Sequence, residues 1–363
     1  MDILECYEKA SGQKVNKNKT TILFSKSTTE STKHKIKTAL GLQEIEQYEH
    51  YLGLPSLVRR RKKYSFNLIK EKVWRKLQSW EGNLLSQASR EVLIKAVIQA
   101  IPTFAMGCFK IPLGLCHDIK ALIKKFWWGE RGERRKIHWL KWDELTKSKL
   151  EGGMGFRDLA LFNDSLLAKQ AWPLLKNQDS LFHKVFKVRF FPNCTIMEAK
   201  KSRGGSYAWT SILHGRDVLS RGCRWRIGNG KTVGIWHNFW LPLQQAPQVL
   251  SPIIESLADA RVEILIDREA RPWNHNTIDG IFVQDETELI KKLPLAKSEC
   301  EYSLFWPFTH NGIYNKKLGY RFLKVEDEPN GNEEQVELDR ALWKGIWSLH
   351  IPNKMKNLMW RSC

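Results

Sequence analysis

Phe66, Ile69, Val73, Leu77 and Trp80 recur at spacings of three and four residues, which puts all five on one face of an α-helix. The opposite face carries Lys70, Lys72, Arg75 and Lys76, so this helix must bury an apolar stripe and show solvent a cationic one. A second helix is predicted from about Ser89 to Ala100. It stops before Ile101-Pro102, because proline disfavours helix in the residue preceding it. A third covers Cys116 to Trp127, with Ile119, Ile123, Phe126 and Trp127 on one side. Together they predict a compact helical module with a basic exterior.

Charge is concentrated in that module. The 363 residues include 59 Lys+Arg and 39 Asp+Glu, a net of +20. Residues 59–150 hold 22 Lys+Arg against 8 Asp+Glu, a net of +14, whereas residues 244–363 hold 15 against 18, a net of −3. A basic unit and a near-neutral one are expected. The run Arg59-Arg60-Arg61-Lys62-Lys63 adjoins the cationic helix face. It reads either as a solvated loop or nuclear-localisation signal, or as a phosphate clamp whose affinity is salt-sensitive and indifferent to sequence. The second reading is favoured. Arg59, Arg60, Arg61, Lys62, Lys63, Lys70, Arg75, Lys76 and Arg90 form the expected nucleic-acid-binding set. Trp127-Trp128, Trp139 and Trp142, four of 16 tryptophans, lie among Arg131, Arg134, Arg135, Lys136 and Lys141. Base stacking is open to them, but tryptophan at near-helical spacing is more often core.

Elsewhere the pattern is mixed, and the expected fold class is α+β, predominantly helical. A short helix from Ile3 to Ala10 closes at Ser11-Gly12, Thr20 to Phe24 reads as a strand, and Thr32 to Leu40 is a helix stopped by Gly41. Tyr51-Leu52-Gly53-Leu54-Pro55 is an apolar turn or short strand. Gly152-Gly153-Met154-Gly155 is a turn into a helix running from Asp158 to Ala171 and ending at Trp172-Pro173. Arg224 to Trp236 is expected to form a hairpin about Gly228-Asn229-Gly230. Residues 326–341 read as an acidic exposed linker.

Several chemistries are disfavoured. Gly230-Lys231-Thr232 lacks the glycine a phosphate-binding loop needs five residues earlier, where Trp225 stands. The ten His and seven Cys are scattered without a C-x-x-C or H-x-x-x-H pair, and Cys116 and His117 point apart on a helix, so no zinc site is expected. No Asp-Asp pair occurs, and Asp285-Glu286 and Glu326-Asp327-Glu328 read as solvated charge runs rather than two-metal ligands. The odd cysteine count, with no signal peptide, indicates reduced thiols and a nuclear or cytoplasmic rather than secreted protein. The longest charge-free apolar stretch, between Lys95 and Lys110, is 14 residues and contains Pro102, too short and too broken for a bilayer.

Taken in order, a set of blocks resembles the C-terminal part of reverse transcriptases from non-LTR (LINE-type) retrotransposons of plants. Ser11-Gly12-Gln13-Lys14-Val15-Asn16-Lys17-Asn18-Lys19-Thr20 is similar to the palm segment after the catalytic hairpin, and Tyr51 to Pro55, Leu77-Gln78-Ser79-Trp80 and Leu85-Ser86-Gln87-Ala88-Ser89-Arg90 follow. Gly152 to Leu159, Asn163, Ala168-Lys169-Gln170-Ala171-Trp172, Arg224 to Gly230 and Ile235 to Pro242 continue the likeness. Trp343-Lys344-Gly345-Ile346-Trp347, Ile351-Pro352-Asn353-Lys354 and Trp360 resemble the opening of that family's zinc-binding region.

The resemblance implies an order of parts: the end of the palm at residues 1–58, a basic helical thumb at 59–150, and a mixed α/β connection at 151–325. The linker at 326–341 and the start of a zinc-binding region at 342–363 follow. It implies that the thumb grips an RNA–DNA or DNA duplex and that Tyr51 to Pro55 lies near the held primer end. The family's paired metal-binding aspartates and its Cys/His zinc ligands have no counterparts here, so Mg²⁺ and Zn²⁺ are implied only for a full-length member. Lys19 matches a lysine placed near the leaving pyrophosphate. The expectation is a truncated, catalytically inactive nucleic-acid binder, with a second polypeptide as a candidate supplier of the missing palm. A host-retained binding or scaffold protein and a degenerate, non-functional product are the alternatives.

Overall fold

The computed structural model describes residues 2–16, 20–22, 24–25, 27–44, 50–51, 54–55, 58, 62–81, 84–130, 136–201, 205–226, 231, 233–236, 240–241, 249–267, 273–293, 295, 303–327 and 333–363. It is 62% helical, with short paired strands, and so has the expected α+β, predominantly helical class. The chain divides into two compact units, Met1–Leu68 and Ile69–Cys363.

In the first unit, α1 (Asp2–Ser11) ends where Gly12 turns to a left-handed φ of 69°. Strands β1 (Thr21–Ile22) and β2 (Gln43–Glu44) pair in parallel, with α2 (Glu30–Leu40) as the crossover between them. The side chain of Thr29 caps α2 by accepting the Thr32 N–H, and Gly41, at φ 64°, stops it. Lys37 forms an ion pair with Glu44, tying helix to strand. Strands β3 (His50–Tyr51) and β4 (Leu54–Pro55) are antiparallel, and α3 (Lys62–Ser65) follows.

Helix α4 (Asn67–Glu81) buries Val73 and Leu77, as the apolar spacing requires. α5 (Gln87–Leu93) opens on Ser86, whose Oγ accepts the Ser89 N–H at 3.2 Å. It does not continue as an ordinary helix to Ala100: residues Ile94–Ile98 widen into a π-turn that ends ahead of Pro102. α6 (Thr103–Cys108) is followed by α7 (Leu113–Trp128), which begins three residues before the expected Cys116 and ends at Gly129, φ 72°. Ile119, Ile123 and Trp127 are fully buried on its inner side.

A short helix, α8 (Trp142–Thr146), leads into a 3₁₀ turn over Lys149–Glu151 and the glycine-rich break. Gly153 is enforced sterically there, since a Cβ would lie 2.2 Å from the Lys147 carbonyl oxygen. α9 (Leu159–Lys176) is capped by Asp158, whose Oδ1 accepts the N–H groups of Ala160 and Leu161. The helix passes through Pro173 instead of ending there. The carbonyl that loses its helical donor is that of Lys169, an exposed residue that water can reach, so the usual cost of an internal proline is moderated.

α10 (Leu181–Phe190) and α11 (Tyr207–Gly222) pack on α9. α11 approaches α9 closely at Gly215, where a Cβ would stand 2.2 Å from the Leu167 carbonyl carbon. Asn163, fully buried on α9, accepts the Ile111 N–H at 2.7 Å and donates to the carbonyls of Met106 (2.8 Å) and Phe109 (2.9 Å). One amide thus satisfies the backbone that turns between α6 and α7.

Among the described residues, strand β5 (Arg224–Arg226) does not pair within the expected hairpin. It pairs antiparallel with β6 (Ser303–Phe305), while Val233 and Ile235 bond to the backbone of Val262 and Ala260. The expected turn residues 228–230 lie outside the described residues. Between the two strands, α12 (His275–Ile281) and α13 (Gln284–Lys292) help to enclose a separate core of Val233, Ile235, Trp240, Leu265 and Ile290. Glu286 is not a solvated charge: only 2% exposed, it accepts the N–H groups of Leu250 (2.5 Å) and Ser251 (3.1 Å) and the Ser251 hydroxyl. The main core joins α9 and α11 to Trp306, Tyr314 and Leu323, the last on α14 (Lys316–Asp327). The linker expected over residues 326–341 is in part helical: α14 runs to Asp327 and α15 (Glu333–Ser348) begins six residues later, its amphipathic pattern outweighing the acidic composition. α16 (Asn353–Ser362) completes the chain.

Candidate nucleic-acid interface

Arg59, Arg60 and Arg61 lie outside the described residues, as does Lys19. Lys62 and Lys63 are exposed on α3 in the first unit. Lys70, Arg75, Lys76 and Arg90 belong to the second unit. On α4, Lys72, Arg75 and Lys76 are exposed on the side away from buried Val73 and Leu77. Lys76 lies 5.4 Å from the centre of the Trp80 ring, which steadies its charge against the helix surface.

Two members of the expected set also have partners within the fold. Lys70 forms an ion pair with Asp118 of α7 at 3.1 Å, joining two helices. The guanidinium of Arg90 donates to the Trp127 carbonyl at 3.4 Å, beside the Gln87 amide, which donates to the same oxygen at 3.1 Å. A Cβ on Gly129 would fall 2.4 Å from Arg90 Nη1, so the guanidinium covers the C-terminal end of α7, where a cation is favoured by the helix dipole.

Glu91, one residue on, was missed by the sequence reading. It is 6% exposed and accepts from Lys95 at 2.7 Å, Lys149 at 2.6 Å and the Asn357 amide at 3.3 Å. Burial pushes its pKa up, but the two lysine contacts outweigh that and hold it below the ordinary value. The same lysine, Lys149, lies 3.9 Å from the centre of the Trp347 ring. The Trp360 indole donates to the Gly152 carbonyl at 2.6 Å and meets Trp127 edge-on at 6.2 Å. Helices α15 and α16 therefore seat on α5, α7 and the glycine-rich turn of the basic module. The local signal was the i, i+4 spacing of Glu91 and Lys95, whereas Lys149 and Asn357 are too distant in sequence to be read there.

The tryptophans divide by exposure. Trp127, Trp128 and Trp142 are at most 8% exposed and belong to the core, Trp142 stacking on Phe156 at 5.5 Å. Trp139 is 68% exposed. Cys116 is buried, its thiol pushed up to about 11 by desolvation, and neighbouring His117 is exposed, so the two do point apart. Among the described residues no cluster of three or more His, Cys, Asp or Glu is arranged to hold a metal, and no helix is long and apolar enough to cross a membrane.

The fold and this surface define an α+β, mostly helical protein with cationic helix faces over a tryptophan-rich core. No protein-family model matches the chain. The chain belongs to the family of the "Uncharacterized mitochondrial protein AtMg00310" of Arabidopsis thaliana, being 41% identical over 143 residues, which are 39% of this chain and 93% of that protein. It is also 26% identical over 315 residues, 85% of its length, to the "Putative ribonuclease H protein At1g65750" of the same plant. It spans 49% of that second, longer relative.

Proposed function

We propose that the chain is the nucleic-acid-gripping portion of a retrotransposon-derived protein of the non-LTR reverse transcriptase type, with residues 59–150 acting as the thumb. The observation that carries this reading is the +14 charge of that segment combined with the exposure of Lys62, Lys63, Lys72, Arg75 and Lys76. Each phosphate neutralised by such a side chain releases condensed counterions, so affinity is indifferent to sequence and falls steeply with salt. The order of sequence blocks, from Ser11-Gly12 to Trp360, supports the polymerase lineage. The name of the relative At1g65750 supports a substrate rather than a reaction, since ribonuclease H and reverse transcriptase both act on RNA–DNA duplexes.

In this reading the chain alone binds duplex without extending a primer, because it offers no paired aspartates for two-metal phosphoryl transfer. The test is binding of the full chain to an RNA–DNA duplex across a salt series, with template-directed nucleotide incorporation assayed in parallel with Mg²⁺ and with Mn²⁺. A steep salt slope that flattens when Arg59 to Lys63 are replaced by alanine supports the clamp, and an unchanged slope refutes it. Incorporation by the chain alone would overturn the binding-only assignment.

A further inference from the structure

Residues Lys136 to Lys141 form an irregular segment ahead of α8, with aromatic contacts at His138 and at Trp142. At one end His138 lies flat against Trp128, rings 5.9 Å apart and 18° from parallel, with its Nε2 2.6 Å from Glu130. At the other, Trp142 is buried against Phe156. Between these anchors Trp139 stands 68% exposed, with Ile137 at 69% and with exposed Lys136 and Lys141 on either side in sequence. An indole so exposed forgoes the burial that usually stabilises tryptophan, while the adjacent His138 is held against Trp128 and Glu130. An exposed indole flanked in sequence by two lysines offers a ring to stack on an unpaired base and cations for the neighbouring phosphates.

We propose that Trp139 is a stacking platform for an unpaired base, so that the basic module engages a single-stranded stretch of nucleic acid at this point. The inference rests on the nucleic-acid-binding reading above and adds a strand preference to it. Bases inside a duplex are stacked on one another and offer no free face to the indole. The cationic side chains contact phosphates of either form, so the platform alone distinguishes single strand from duplex.

The test uses the full chain and two labelled probes: oligo(dT) about 20 nucleotides long, which exceeds the site size of one stacking module, and a blunt duplex of equal length. Anisotropy at one fixed salt concentration measures both. Trp139→Ala is expected to weaken oligo(dT) binding roughly tenfold, the effect of losing one stacked base. Duplex affinity should be unchanged, and Trp139→Phe should recover most of the loss. Equal weakening of both probes, or of neither, overturns the platform; the second outcome would mark Trp139 as a protein-docking residue. If the unaltered chain binds neither probe, the nucleic-acid reading itself fails, and the platform with it.

Discussion

Glu91 on α5 and Asn357 on α16, 266 residues apart in sequence, meet through a 3.3 Å hydrogen bond at the buried centre of the basic module. Lys95 and Lys149 share the same carboxylate, so one side chain links helix, turn and C-terminal segment. Replacing Glu91 with alanine should cost about 2–3 kcal/mol, less than for a fully buried pair because the two lysine side chains are about a third exposed. Thermal unfolding measures the loss. Hydrogen exchange should show faster exchange in α16, and unaltered protection there would refute the link.

The same carboxylate makes stability depend on pH. Its folded-state pKa lies below the ordinary value of 4.5, so its contribution is present in full above that pH. The contribution is lost as pH falls through the depressed folded value. Chemical denaturation from pH 6 down to acid should show a decline that Glu91→Gln reduces. An identical decline in the variant would place the acid sensitivity elsewhere.

Arg90 and Lys76 should separate in their effects. Arg90→Ala removes a cation and a hydrogen bond from the end of α7 and should lower stability by about 1 kcal/mol. Lys76→Ala should leave stability nearly unchanged and reduce the salt slope of duplex binding by about one. Melting curves and salt titrations of both variants check the pair, and a reversed assignment would count against the interface drawn here.

Gly215→Ala should destabilise by roughly 2–3 kcal/mol, because the new methyl meets the Leu167 backbone, which cannot move aside as a flexible side chain would. Gly280→Ala, where the space around the position is open, serves as the control and should not destabilise the fold. Calorimetry of the two variants tests the contrast.

What was legible in the sequence followed from periodicity. Phe66, Val73 and Leu77 are buried because a 3.6-residue repeat leaves an amphipathic helix few other options, and Gly41 ends α2 because it adopts a left-handed φ without strain. The basic candidates were legible only as charges. Composition does not reveal that Arg90 covers a helix end or that Lys70 pairs with Asp118, since those partners lie 37 and 48 residues away. The expected hairpin, whose turn lies outside the described residues, meets the same limit. Alternating residues about Gly228-Asn229-Gly230 specify strands, but the partner of β5 comes from β6, beyond a second core. Pro173 misled because a proline's effect on a helix depends on the exposure of the carbonyl it strands.

The pairing of β5 with β6 has a consequence for the order in which the chain assembles. Trp209 and Leu219 are made early, but the core they belong to also requires Trp306, Tyr314 and Leu323. Everything in the smaller core, from Val233 to Ile290, leaves the ribosome before those three residues do. The nested cluster can therefore close on its own contacts while the surrounding one waits, half-built, for β6 and α14. During synthesis the apolar faces of α9 and α11 stay uncovered until β6 and then α14 arrive.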